Sequence, residues 1–338
     1  MGQSDLAMKE LTSYSDVAAD ILNVIVYAGE QVVQKEDLKP YVTESSIVKT
    51  DGKLKRGSRD NCLENIRDGT RYLIIGIENQ EDVDYTMPMR VMGYDYAVYE
   101  RQVEEIVAQN KESGVHTTVH RILKGQKISP VVTLVLYAGS GEDMPTELSD
   151  MLEMPQDERM KKYIKNYEMN LICLRQLSLE QVERFQSDFR YIAKQMSRAY
   201  NKKQLKEEMQ SDEAVLVHTK ATLHALMAFT GDERYLAVAK QVKEGETKMC
   251  EILDAVEKEG YEKGVSVGVQ QGIAQGVQQG IAQGVRQGIA QGVARGEMDK
   301  TRIVVTNMIK RGMSDEDIIV LAECEQALID EVRAEKKK

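Results

Sequence analysis

The sequence predicts an α/β fold built on a mixed sheet, and three observations predict it. Two β-prone arms, CLENI (62–66) and RYLIIGIENQ (71–80), flank an Asp68-Gly69 turn signal. A further apolar run, PVVTLVLY (130–137), follows a helical period. The resulting order of helix, hairpin, helix and strand is that of a sheet with helices packed on its faces.

Residues 15 to 33 (SDVAADILNVIVYAGEQVV) read as an amphipathic helix capped by Ser15 or Asp16 and ending near Gly29. Ile21, Leu22 and Ile25 face a core, whereas Asp16, Asp20, Asn23 and Tyr27 recur at i, i+4, i+7 and i+11 and share another face. The second hairpin arm is apolar at nearly every position from Leu73 to Ile77, which marks a central strand covered on both sides. After Pro88, residues 89 to 111 resume a helical period, and Pro130 to Tyr137 supply a buried strand ended by Gly139. Residues 155 to about 258 are charged and mainly helical, with a short strand at Asn170 to Leu174.

From Gly260 to Gly296 glycine recurs at every fourth position, ten in all, with Val or Ile following most of them from Val265 onward. On an α-helix a period of four drifts by about 40° per repeat, so the stripe winds around the helix and favours a right-handed crossing with a partner. Each glycine costs about 1 kcal/mol of helix propensity relative to alanine. The segment is therefore either a helix held by a partner or a flexible linker. Residues 299 to 334 follow with a helix to Lys310, a Gly312 stop, a Ser314 cap with Asp317 at capping-box distance, and a second helix. That unit is a packing or dimerisation hairpin in preference to a helix-turn-helix.

At 338 residues the chain has room for two domains and a sizeable core. Its four cysteines, Cys62, Cys173, Cys250 and Cys324, stand singly, with no CxxC pair, which excludes a disulfide-stapled fold and fits buried thiols in a reducing compartment. There is no run of about 18 apolar residues, no basic-then-apolar leader, and Leu6 stands where a myristoylation signal wants Ser or Thr. The expectation is a soluble cytoplasmic protein with no membrane partner. A formal charge of −10 disfavours tight DNA binding without catalysis, because affinity for nucleic acid comes from Lys and Arg neutralising phosphates. An acidic protein that gathers divalent cations into a carboxylate cluster remains compatible with a locally neutralised groove.

Phosphodiester hydrolysis needs a hard divalent cation, and carboxylates on adjacent strands are natural oxygen ligands for one. Asp60 and Glu78 lie on the two arms of the hairpin. Strand alternation puts Glu78 and Gln80 on one face and Asn79 on the other, so Gln80 is placed to orient water or phosphate and the Asn79 carbonyl to add a ligand. Glu78 is the more telling acid, since a carboxylate ending an apolar strand is costly to bury unless paired or metal-bound. Register decides whether the pair can meet. A strict two-residue Asp68-Gly69 turn pairs Asp60 with Ile77 and sends the carboxylates to opposite faces, so a bulge or odd-length loop is required. On the following helix Arg90, Tyr94, Ala97 and Arg101 recur at i, i+4, i+7 and i+11, offering phosphate two guanidinium groups and a phenol. His116 and His120 bracket a Thr-rich stretch without an evident third ligand, and His218 and His224 read as core-edge residues.

The segment GIENQEDVDYTMPMRVMGYDYAVYERQ (76–102) with PVVTLVLYAG resembles the bacterial recombination-promoting nuclease and transposase family, a branch of the PD-(D/E)XK superfamily. The likeness extends to ADILN and GEQVV, FQSDFR (185–190), KEGETKMCEIL (243–253) and the glycine repeat, and so covers nearly the whole chain. It implies a restriction-endonuclease-like sheet over residues 1–150; the residue patterns above add a helical region over 151–258, a glycine-repeat helix or linker over 259–298 and a helical hairpin over 299–338. It also implies Mg²⁺-dependent DNA cleavage, with Mn²⁺ or Ca²⁺ as alternatives, that promotes recombination or transposition. By the resemblance Asp60 and Glu78 take the two motif acids and Gln80 the position more often lysine in the superfamily. Asp20, Arg90 and Tyr94 match accessory positions, Asp20 completing a ligand set of Asp60, Glu78 and Asn79. The family's tryptophans near residues 130–139 are missing, since the chain has none. DNA is the expected partner, with homo-oligomers formed through the repeat helix. The rival readings are an oligomeric interaction protein that keeps the fold without catalysis and a DNA-binding regulator using residues 299–334.

Overall fold

In the computed structural model the described residues are 3–41, 44–48, 54–58, 60–115, 121–139 and 144–335. Helices α1 (Gln3–Thr12) and α2 (Ser15–Ile25) lead into strands β1 (Leu38–Pro40), β2 (Glu44–Val48), β3 (Leu54–Ser58), β4 (Asn61–Arg67) and β5 (Thr70–Gln80). The long helix α3 (Met87–Glu112) crosses to β6 (Val131–Tyr137). Then come α4 (Glu158–Lys161), β7 (Asn170–Cys173), α5 (Leu179–Arg184), α6 (Phe189–Met196), α7 (Lys202–Ser211), α8 (Thr219–Thr230) and α9 (Arg234–Ala239). The chain ends with α10 (Met249–Lys310), α11 (Asp315–Ala322) and α12 (Gln326–Glu335).

The main sheet has the order β1-β4-β5-β6-β7, with β2 and β3 pairing as a separate ribbon. β1, β4 and β5 are antiparallel neighbours, whereas β5, β6 and β7 run parallel, so the sheet is mixed as expected. The parallel step from β5 to β6 requires a crossover, and α3 supplies it. Central position explains the composition of β5: Ile74, Ile75 and Ile77 are all buried, and the two sides of the strand enter different apolar clusters.

Residues 1–260 and 261–338 form two compact units. In the first, one core joins Leu11 and Ile21 to Ile77 and Leu136 of the sheet, to Phe189 and Ile192 of α6, and to Leu223 and Ile252. This shared core runs across residue 150, because α1, α2 and the later helices bury their apolar stripes together. In the second unit Val305, Ile318, Ile329 and Val332 form a small core.

Three differences from the sequence reading have local causes. Helix α2 stops at Ile25, before Gly29, because Asn23 clamps the following loop. Its Oδ1 accepts the N–H of Val32 (3.1 Å) and Val33 (2.8 Å), and its Nδ2 donates to Val33 O at 2.9 Å. Val33 thereby enters the core from a loop. Helix α1, which the sequence reading passed over, buries Ala7, Met8 and Leu11. Residues 315–335 form two short helices, since Glu323 turns left-handed at φ 49° and ends α11.

Candidate functional site

The hairpin turns through two residues, Asp68 (φ 50°) and Gly69 (φ 74°), the positive pair expected of a tight turn between twisted strands. Arg67 pairs with Thr70 and Ile66 with Arg71, but Asn65 then pairs with Leu73. Tyr72 is the extra residue of a β-bulge. Beyond it the ladder runs to Asn61 opposite Ile77, so continuing the register by one residue sets Asp60 opposite Glu78. The irregularity demanded by spacing is present, in the β5 arm.

Both acids are buried, Asp60 at 7% and Glu78 at 2% exposure. The Asp60 N–H donates to Glu78 Oε1 at 3.1 Å, and the Asn79 N–H donates to Asp60 Oδ2 at 2.9 Å. Cations approach from both sides without closing to hydrogen-bond distance. Lys9 Nζ of α1 lies 3.9 Å from Asp60 Oδ1, and an Arg90 terminal nitrogen of α3 lies 3.8 Å from Glu78 Oε2. Burial pushes the Asp60 carboxyl above its ordinary value, outweighing the lowering by the Asn79 N–H and Lys9.

Helix α1 braces the strand ends. The Thr12 hydroxyl donates to Met8 O at 2.8 Å and accepts from Asn61 Nδ2 (2.8 Å) and Asn79 Nδ2 (3.2 Å). Asn61 Nδ2 also donates to Lys9 O at 2.9 Å. With its amide nitrogen so committed, Asn79 keeps a buried Oδ1 that meets no hydrogen-bond donor among the described residues. Carboxylates are hard oxygen donors of the kind that suits Mg²⁺, Mn²⁺ or Ca²⁺, whereas the Asn79 side chain lies on the α1 face of β5, opposite the face on which Glu78 meets Arg90 of α3. Among the described residues no group of three or more His, Cys, Asp or Glu side chains gathers in a metal-holding arrangement.

The other expected residues are distributed differently. The Gln80 amide folds onto Asp82 O at 2.8 Å. Arg90 pairs with Asp84 at 2.7 Å and donates to the Tyr94 hydroxyl at 3.2 Å, so Arg90 and Tyr94 lie together on the Glu78 side of the strand. Arg101 belongs instead to an exposed ladder with Glu104 (3.9 Å) and Glu105 (3.7 Å). Asp20 Oδ2 accepts the N–H groups of Gln186 (2.9 Å) and Ser187 (2.7 Å), and its Oδ1 is buried with no donor among the described residues. Burial pushes the Asp20 carboxyl up against those lowering bonds. These contacts tie Asp20 to the α5–α6 connection. His218 pairs with Asp16 at 2.7 Å and His224 with Glu10 at 3.2 Å, while His116 and His120 lie outside the described residues. The sequence reading missed Lys9, Thr12 and Asn61. The signal that finds the first two is the Ala7, Met8 and Leu11 spacing in QSDLAMKELT, which marks a helix with Lys9 and Thr12 at i, i+3.

Residues 3–225 match the family described as "Putative transposase, YhgA-like". The chain belongs to this family. The match runs from α1 into α8 and so contains the whole hairpin, α3 and the α1 brace. Neither a curated protein nor a solved structure matches the chain. Membership of this YhgA-like transposase family points to a role in transposition or recombination, with DNA as the bound partner. Among the described residues no helix is long and apolar enough to cross a membrane.

Proposed function

We propose that this family member is a metal-dependent DNA endonuclease with a restriction-endonuclease-like sheet, in which Asp60 and Glu78 hold Mg²⁺. The observation that carries the reading is the lacing of two buried carboxylates across the bulged hairpin, because burying two acids on adjacent strand ends is costly and such acids cluster at functional sites. In this reading the Asn79 carbonyl adds a further oxygen. When bound, a divalent cation polarises the phosphate and lowers the pKa of the attacking water. The protein's part is to fix the donors: α1 holds the strand ends through Thr12, and Asp84 and Tyr94 aim Arg90 toward the side of Glu78 where phosphate charge is to be met. Gln80 orients water or phosphate without adding charge.

Incubating the full chain with supercoiled plasmid and Mg²⁺, alongside Asp60→Ala and Glu78→Ala, tests the reading. Nicking or linearisation by the parent and none by either variant is expected. Cleavage that survives both substitutions, or no cleavage with Mg²⁺, Mn²⁺ or Ca²⁺, overturns it in favour of a non-catalytic interaction protein.

The same reading assigns homo-oligomer formation to α10. Val265, Val269, Ile273, Val277, Ile281 and Val285 are exposed at four-residue spacing, and a Cβ added at the neighbouring glycines meets nothing within 4 Å. Sedimentation of the full chain and of a chain ending at residue 260 tests this. A mass that is multiple for the first and single for the second is expected, and a monomeric full chain overturns it.

A further inference from the structure

The site described above holds two buried acids and a neutral amide where a charged residue would be most useful. A reaction that builds negative charge on a phosphoryl group is accelerated by fixed cations aimed at that charge. Gln80 is neutral, and its amide is turned onto the carbonyl of Asp82. Arg90 is cationic, but its guanidinium is engaged by Asp84 at 2.7 Å as well as by Tyr94.

Lys9 is placed differently. It approaches from α1, on the Asp60 side, with Nζ 3.9 Å from Asp60 Oδ1, inside ion-pair range and beyond ordinary hydrogen-bond length. Its side chain keeps 31% of its surface exposed, so the ammonium is within reach of a bound substrate. Its main chain is pinned to the site, because Asn61 Nδ2 donates to Lys9 O, and Thr12 one turn later receives Asn61 and Asn79. The fold thus fixes the Lys9 backbone against the same two strand ends that carry Asp60 and Glu78. It leaves the flexible end of the side chain open.

We propose that Lys9 is a second cationic residue of this site, on the Asp60 side, contacting the scissile phosphate from α1 and supplying the positive charge that Gln80 on the strand lacks. The inference rests on the nuclease reading and adds a residue that strand spacing does not reach, 51 positions from Asp60 in the sequence. A merely structural Lys9 would tether α1 to Asp60, and loss of that tether would show as a lower melting temperature. A substrate-contacting Lys9 shows instead in the rate at saturating DNA and in the ionic strength dependence of binding.

The experiment compares the full-length parent with Lys9→Gln, Lys9→Arg and the double variant Lys9→Gln/Gln80→Lys in Mg²⁺-dependent plasmid cleavage, with thermal melts of each. Lys9→Gln is expected to lose about 100-fold in rate at saturating DNA with KM changed far less. Lys9→Arg, which keeps the charge, should stay within about tenfold of the parent. The double variant, which returns the charge to the strand, should recover about tenfold over Lys9→Gln. As a second readout without cleavage, duplex retention is measured against NaCl concentration in EDTA. One phosphate contact fewer lowers the log–log slope by about 0.9 in Lys9→Gln. Parental cleavage by Lys9→Gln, no recovery in the double variant, or an unchanged slope each overturns the assignment while the parent still cuts. A parent that does not cut overturns the nuclease reading itself, and this inference with it.

Discussion

Asp60 and Glu78 face each other across the hairpin so closely that the main-chain N–H of one bonds the carboxylate of the other, at 3.1 Å. The bond returns one residue along, where the Asn79 N–H holds Asp60 Oδ2 at 2.9 Å. Backbone donors thus link the two acids, and Lys9 and Arg90 stand at 3.9 Å and 3.8 Å. Neutral donors orient a carboxylate well but compensate its burial only in part.

Removing either charge while keeping the shape should abolish the chemistry, and at Asp60, whose carboxyl burial pushes up, it should also stabilise the fold. Asp60→Asn and Glu78→Gln both retain an oxygen to accept these bonds. We expect Asp60→Asn to unfold with about 1 kcal/mol more stability, as at sites where function is held at the expense of stability, and both variants to cut at least about 100-fold more slowly. Denaturant unfolding and plasmid cleavage of the same preparations check it. Variants that are less stable and fully active would contradict the account.

Asn65 sits at the bulge, fully buried, and neither polar atom of its side chain finds a partner among the described residues. Its cross-strand neighbours are Leu38 and Leu73. Asn65→Leu should raise stability by about 1–3 kcal/mol by removing an uncompensated amide. A thermal melt that falls would mean that the amide serves the bulge.

Asp16 and His218 meet at 2.7 Å under the stacked ring of Tyr14, 3.6 Å from the imidazole. Burial pushes the Asp16 carboxyl up, and the hydrogen bond and charge of His218 outweigh it, holding Asp16 below its ordinary value. A depressed folded pKa gives stability that is present above the unfolded pKa, near 3.9, and lost as pH falls through the folded one. The pair is partly exposed, so its worth is about 1 kcal/mol after screening. Urea unfolding should show the parent ahead of Asp16→Asn by that margin at pH 5, with the gap closing toward pH 3. A gap independent of pH would remove the pair from the acid stability of the fold.

The glycines of α10 permit a test with two readouts of opposite sign. Replacing Gly272, Gly276 and Gly280 by alanine should raise helix stability by about 1 kcal/mol per site, since an added Cβ meets nothing within 4 Å along the helix. If copies of the chain pack through this stripe, the same methyl groups hold the partner away, and sedimentation should show weaker association. Stronger association after substitution would place the contact on another face.

Much of the site was legible in the chain itself. The Asp68-Gly69 pair fixed a tight turn, the apolar run from Leu73 to Ile77 fixed a central strand, and counting residues from the turn required an irregularity if Asp60 and Glu78 were to meet. These features are local, and strand alternation and turn chemistry are written within a few residues of one another. The sequence did not tell which distant groups would close around them. Thr12 reaches Asn79 across 67 positions, and Asp20 is drawn to Gln186 and Ser187 across 166 and 167, because burial of the α1 and α2 stripes decides which surfaces meet. Periodicity states that a helix has an apolar face, whereas only close packing of the whole core selects the partner of that face. The sequence by itself thus determined the acids and the strand that carries Glu78. Tertiary structure decided that Lys9 of α1 and Arg90 of α3 would come within 4 Å of those acids while the Gln80 amide turned onto Asp82.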